Sequence, residues 1–74
     1  MQKIKNQSFI KSFGNKLRDT RKSKNFSQEQ LAFEADIPIS QIGRIERGEI
    51  NTTINTVSAL AKALKIPAKE LFEF

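Results

Sequence analysis

The sequence predicts an all-α fold, a compact bundle of five short helices, and three observations carry that prediction. Apolar residues recur at three- and four-residue spacing in separate short stretches, with no alternating strand pattern between them. Each stretch is bounded by residues that cap or break helices. At 74 residues the chain is too short to divide its core, so these helices must share one.

The elements follow in order. Residues 1–7 are polar and basic without an apolar period and are expected to form a flexible arm, leaving 8–74 as a single domain. Ser8 is the expected cap of a first helix over about 9–24, where Phe9 or Ile10, Phe13, Leu17 and Thr20 recur at helical spacing. Gly14 inside it costs about 1 kcal/mol relative to alanine, which implies close packing against a neighbour. Asn25 suits a left-handed residue at the helix end. Phe26 then plugs the core. Ser27 caps a second helix over 28–35, and Gln30 three residues on completes a capping box.

A tight corner comes next. Leu31 and Ala35 lie four apart, and Ile42 and Ile45 three apart, so each pair forms an inward stripe on its own helix. Ala32 is small enough for the helices to cross closely, and Ile37 fills the turn. Pro38 suits the first turn of a third helix, which runs from 38 or 39 to 46 and stops at Gly48. Glu49 to Thr52 is a loop. Thr53 caps a fourth helix whose apolar face is Ile54, Val57, Leu60, Ala61 and Leu64. Ile66-Pro67 ends it and opens a short fifth helix over 68–72. Two short helices meeting at such a corner present the second to a DNA major groove.

Composition narrows the function. The chain has neither cysteine nor histidine, which removes a disulfide framework, an ordinary zinc site and a histidine base. The carboxylates sit at helix-surface spacing without a pocket-forming architecture, so no enzyme, metal or cofactor is expected. No apolar run is long enough for a membrane span and no signal peptide is visible, so a cytoplasmic protein is expected, nucleoid-associated when bound to DNA. Charge is uneven. Residues 1–25 carry Lys3, Lys5, Lys11, Lys16, Arg18, Arg21, Lys22 and Lys24 against Asp19 alone, for +7, while residues 26–74 carry −2, within a total of +5. A polyanion is therefore drawn first to the arm and the first helix.

Four blocks in order resemble one family. Phe13-Gly14 with Lys16-Leu17-Arg18 and Arg21, then Ser27-Gln28-Glu29-Gln30-Leu31-Ala32, then Ile42 to Gly48, then Ile54 to Leu64 with Ile66-Pro67 and Glu70-Leu71-Phe72 are similar to the Cro/CI-type (XRE-like) helix-turn-helix regulators. The resemblance spans residues 13–72 and implies a lambda-repressor-like DNA-binding domain with the helix-turn-helix at the second and third helices.

It also implies roles for particular residues. Ile39, Ser40 and Arg44 match the family's principal base-reading positions. Arg44 can present a fork to guanine, Ile39 can pack on a thymine methyl, and Ser40 discriminates weakly. Gly43 would let the helix approach closely, and Gln41 is near enough to reach a base or a phosphate. Gln28 matches the family's phosphate-binding glutamine at a helix start, where backbone N–H groups and the dipole favour an anion. Arg47 is the next phosphate candidate, followed by Asn51, Thr52 and Ser27. Arg21 and Glu46 match positions that often form an internal ion pair, a structural role.

Three positions depart from the pattern. Asp36 stands where glycine is usual, and tolerates a left-handed conformation at modest cost. Phe33 stands where a charged residue is common, and either folds back on Phe26 or offers an exposed apolar contact. Glu49 occupies a place that is often basic, where it repels phosphate.

Readers of this type usually bind two-fold symmetric operators as homodimers. Phe72 and Phe74 are candidate interface aromatics; Phe72 is the one expected to complete the core and Phe74 the better placed for a partner. Asn55, Ser58 and Lys62 are candidates to line the two-fold axis. No small-molecule effector site is evident. The expected function is a small sequence-specific regulator, of the size of restriction–modification controllers, phage repressors and antitoxins. The alternative is a protein-interaction module, such as an anti-repressor or antitoxin, that keeps the fold with little base reading.

Overall fold

Gly14 decides how the first helix sits. A β-carbon there would lie inside van der Waals contact of the Ile45 carbonyl oxygen and 2.7 Å from that of Glu46. The backbones of the first and third helices therefore meet directly, and only glycine fits between them. The computed structural model in which this is seen describes residues 6–74. Its elements are α1 (Gln7–Ser23), α2 (Gln28–Ala35), α3 (Ile39–Glu46), α4 (Ile54–Leu64) and a 3-10 helix (Ala68–Phe72). All are helical, with no strand among the described residues. The fifth element thus differs from the α-helix expected, since its five residues close only a tighter turn. No helix among the described residues is long and apolar enough to cross a membrane.

Local chemistry sets the boundaries. Asn6, not Ser8, caps α1: its side chain accepts from the Phe9 amide at 3.0 Å, and the helix begins two residues earlier than the periodicity suggests. Gln7, assigned by sequence to the arm, is helical, and Lys3 and Lys5 lie outside the described residues. Ser27 and Gln30 make both hydrogen bonds of a capping box, 3.0 Å from the Gln30 amide to Ser27 Oγ and 2.8 Å from the Ser27 amide to Gln30 Oε1. Thr53 caps α4 by accepting from the Thr56 amide. Left-handed residues Asn25, Asp36 and Lys65 close α1, α2 and α4.

The core joins all five elements: Phe13 and Leu17 from α1, Leu31, Ala32 and Ala35 from α2, Ile42 and Ile45 from α3, Leu60, Ala61 and Leu64 from α4, and Leu71 from the 3-10 helix. Phe26, Ile37 and Val57 pack half-buried against it. Two expectations fail here. Ile54 is 88% exposed, because the first turn of α4 projects past the edge of the core. Leu71 rather than Phe72 anchors the C-terminal segment: Leu71 is fully buried while Phe72 remains 42% exposed, its ring laid on Phe13 with centroids 5.1 Å apart.

Candidate nucleic-acid interface

The corner is built so that one face of α3 is locked and the other left free. Ile42 and Ile45 are buried against α1 and α2, and Asp36 turns the chain with φ 57°. On the outer side, Ile39, Ser40 and Arg44 are exposed and Gln41 is half-buried. Pro38 precedes the helix and no side chain caps its first turn. Arg44 has no hydrogen-bond or ion-pair partner among the described residues, so its guanidinium fork is unspent.

Glu46, at the inner end of α3, ties the three helices together. Its Oε2 accepts from Arg21 Nε at 2.6 Å, and its Oε1 accepts from Arg21 Nη2 at 3.1 Å and from Gln28 Nε2 at 3.0 Å. Arg21 also donates from Nη1 to the Phe26 carbonyl at 2.8 Å. Both charged residues are buried, and their partners satisfy them, which is the condition for a buried ion pair to be tolerated. Gln28 is half-buried at the first turn of α2, with one amide hydrogen given to Glu46 and the other without a partner among the described residues. Its orientation is therefore fixed by the ion pair, a link the sequence pairing of Arg21 with Glu46 alone did not include.

Other candidates are placed less simply. Arg47 donates from Nε to Glu49 Oε2 at 2.7 Å and folds back over α3. Its Nη1 would sit 2.9 Å from a β-carbon at position 43, so Gly43 is buried beneath the guanidinium instead of offering bare backbone to a base. The glycine makes room for its own helix neighbour four residues on. The hydrogen bond holds the Glu49 carboxyl below its ordinary value, with the charges of Arg47 and Arg44 adding to it, and raises that of Arg47. Asn51 is exposed, but the Thr52 hydroxyl is turned inward and buried without a partner, so it does not present to phosphate. Ser27 spends its hydroxyl oxygen and its amide in the capping box, which leaves its O–H alone to donate.

At the far edge, Phe9 stacks on Phe72 with centroids 6.2 Å apart and meets Phe74 edge-on at 5.3 Å. With Phe74 57% exposed and Ile54 beside the same groove, this is an apolar surface at the junction of α1, α4 and the C-terminal segment. Asn55 and Ser58 are exposed on α4. Lys62 lines a recess with Glu34 and Ala35 on the α2 side, so it does not share the aromatic groove. Neither Phe9 nor Ile54 is singled out from sequence as a surface residue, because helical periodicity assigns Ile54, and either Phe9 or Ile10, to the core.

Two helices crossing at an uncapped, sharp corner, with a free arginine on the outer face of the second, define a DNA-binding helix-turn-helix module. The chain belongs to the HTH_3 family, whose helix-turn-helix model matches residues 17–71. It is 44% identical over 63 residues to control protein C.BamHI of Bacillus amyloliquefaciens, covering 84% of this chain and 78% of that protein. It is 42% identical over 55 residues to control protein C.SmaI of Serratia marcescens, covering 74% and 66% of the two chains. Its fold matches the crystal structure of the restriction–modification controller protein C.AhdI from Aeromonas hydrophila with a TM-score of 0.87 at 40% identity, over 88% of this chain and 98% of that one. The protein is accordingly a DNA-binding regulator and not an enzyme.

Proposed function

We propose that this protein is a sequence-specific transcriptional regulator that binds an operator as a homodimer, with α3 in the major groove. The observation that carries the reading is the division of α3: Glu46, Ile42 and Ile45 lock its inner side into the fold while Ile39, Ser40 and Arg44 stand free on the outer side. A helix held this rigidly can present a guanidinium fork to guanine O6 and N7, a contact worth roughly 1–3 kcal/mol of discrimination. Gln28, held by Glu46, offers its second amide hydrogen to a phosphate at the start of α2, and the Arg47, Asn51 and Ser27 groups lie at the margins. The apolar groove of Phe9, Phe72 and Ile54, with Phe74 at its edge, supports pairing of two copies, and dimeric readers of this type place their recognition helices about one helical turn of DNA apart. The control proteins among its relatives favour a restriction–modification controller over a phage repressor or an antitoxin. Its place is then the cytoplasm, on the nucleoid when bound.

One observation favours a second reading, an interaction module with little base reading: Phe33 is 82% exposed on α2, an apolar side chain open to a protein partner. Fluorescence anisotropy with duplexes tiled across the DNA upstream of its own gene separates the two. The regulator binds one segment far more tightly than random duplex. Absence of binding to every duplex at low salt would favour the interaction module.

A further inference from the structure

Glu49 carries a negative charge where a DNA-facing surface should have none. Its carboxylate takes Arg47 Nε at 2.7 Å and Arg47 Nη2 at 3.4 Å, so the two oxygens face the same guanidinium edge. That is the geometry in which an arginine receives a phosphate. The guanidinium is thereby held across Gly43, where its Nη1 fills the space a side chain would take. The two side chains remain 58% and 49% exposed, so the pair is open to exchange with an incoming anion. Glu49 also lies within the field of Arg44, the free arginine of α3.

Resting on the DNA-binding reading above, we infer that Glu49 is an internal competitor for DNA phosphate: it holds Arg47 folded over Gly43 in the free protein, and binding transfers that guanidinium to the DNA backbone. The exchange swaps one doubly bonded anion for another, so its net gain is small. It carries no base information, because phosphate oxygens are the same at every step of the duplex. Glu49 thus lowers affinity for all DNA alike and leaves the ratio between operator and random sequence unchanged. For a regulator surrounded by non-specific sites, that restrains sequestration without loss of specificity.

The test compares four full-length proteins by anisotropy on one operator-bearing duplex and one random duplex at fixed salt: wild type, Glu49→Gln, Arg47→Gln and the double variant. Glu34→Gln, an equal charge change on exposed α2, is the control. The inference expects Glu49→Gln to bind both duplexes about two- to fivefold more tightly, the range that exposed ion pairs support. It expects that gain to vanish in the Arg47→Gln background. Unchanged or weaker binding by Glu49→Gln, a gain that survives without Arg47, or an equal gain from Glu34→Gln would each overturn it. Wild type bound to neither duplex would instead refute the DNA-binding reading, and the inference with it.

Discussion

The Gln28 amide donates to the Glu46 carboxylate at 3.0 Å, so the group that fixes α3 in the core also aims a side chain at the start of α2. Glu46 therefore serves stability and positioning at once. Replacing it with alanine leaves the Arg21 guanidinium buried with only the Phe26 carbonyl as partner. Loss of one side of a buried pair costs roughly 3–5 kcal/mol. A domain of this size has a total stability of about 4–11 kcal/mol at ~0.05–0.15 kcal/mol per residue. Glu46→Ala is thus expected to lower the urea midpoint far more than Glu49→Ala, and equal midpoints would contradict the role given to Glu46.

Gly14→Ala is expected to destabilise although alanine is the better helix former. Propensity favours the substitution by about 1 kcal/mol. Against that, the new methyl meets the carbonyls of Ile45 and Glu46, which are backbone and cannot rotate away. Separating the two helices is expected to outweigh the propensity gain, for a net loss of roughly 1–3 kcal/mol. Thermal unfolding followed by circular dichroism checks the sign: a higher melting temperature would mean that α1 and α3 are not in backbone contact.

The Glu49 carboxyl is expected to titrate below its ordinary range because the hydrogen bond from Arg47 favours the charged form. A folded-state value lowered in this way gives stability that is present above the unfolded value and lost as pH falls through the folded one. The pair is accordingly intact at neutral pH and released only in acid, and its exposure keeps the contribution small. Carbon-detected NMR titration of the Glu49 carboxyl should show the lowered value in wild type and a return toward the ordinary one in Arg47→Ala. Identical titration in the two proteins would show that they do not pair.

Phe74→Asp is expected to weaken self-association without unfolding the monomer. The ring is more than half exposed, meeting Phe9 edge-on and lying beside Ser12, Asn15 and Lys16 of α1. A charge within a pairing surface has to be desolvated, and two copies would bring like charges together. Sedimentation velocity across concentration should show the variant monomeric where wild type dimerises, with unchanged circular dichroism. Equal dimer fractions would place the interface elsewhere, away from the aromatic groove.

Much of the fold was legible because it is written in local chemistry. The capping box of Ser27 and Gln30 and the Thr53 cap need only residues three apart, and each lies where the sequence places it. Asn25 and Asp36 take left-handed conformations that their short polar side chains tolerate. Lys65 does the same without any such signal, since lysine has no preference for that region. At the start of α1, Ser8 and Asn6 are both competent caps, and the choice rests on tertiary fit that periodicity does not register. Periodicity assigns Ile54 to the core, and the need to bury one of two nearby aromatics assigns Phe72. One step along a 3-10 helix turns the side chain by about 120°, so Leu71 and Phe72 cannot both face inward, and only packing selects Leu71. At the site, Ile39, Ser40 and Arg44 stand out because they lie off the inward stripe of Ile42 and Ile45. The cover of Arg47 over Gly43 was not legible, because a side chain that folds back along its helix leaves no mark in composition or spacing.

The central claim is that the outer face of α3 reads bases, and Arg44→Ala tests it most directly. The measurement is the ratio of dissociation constants for random and operator duplexes, taken for wild type and Arg44→Ala at one salt concentration. The account predicts that the ratio falls by about five- to 150-fold, equivalent to roughly 1–3 kcal/mol, while affinity for random duplex changes much less. A ratio that stays the same, with both affinities reduced together, would show Arg44 to be a phosphate contact and contradict base reading by this face.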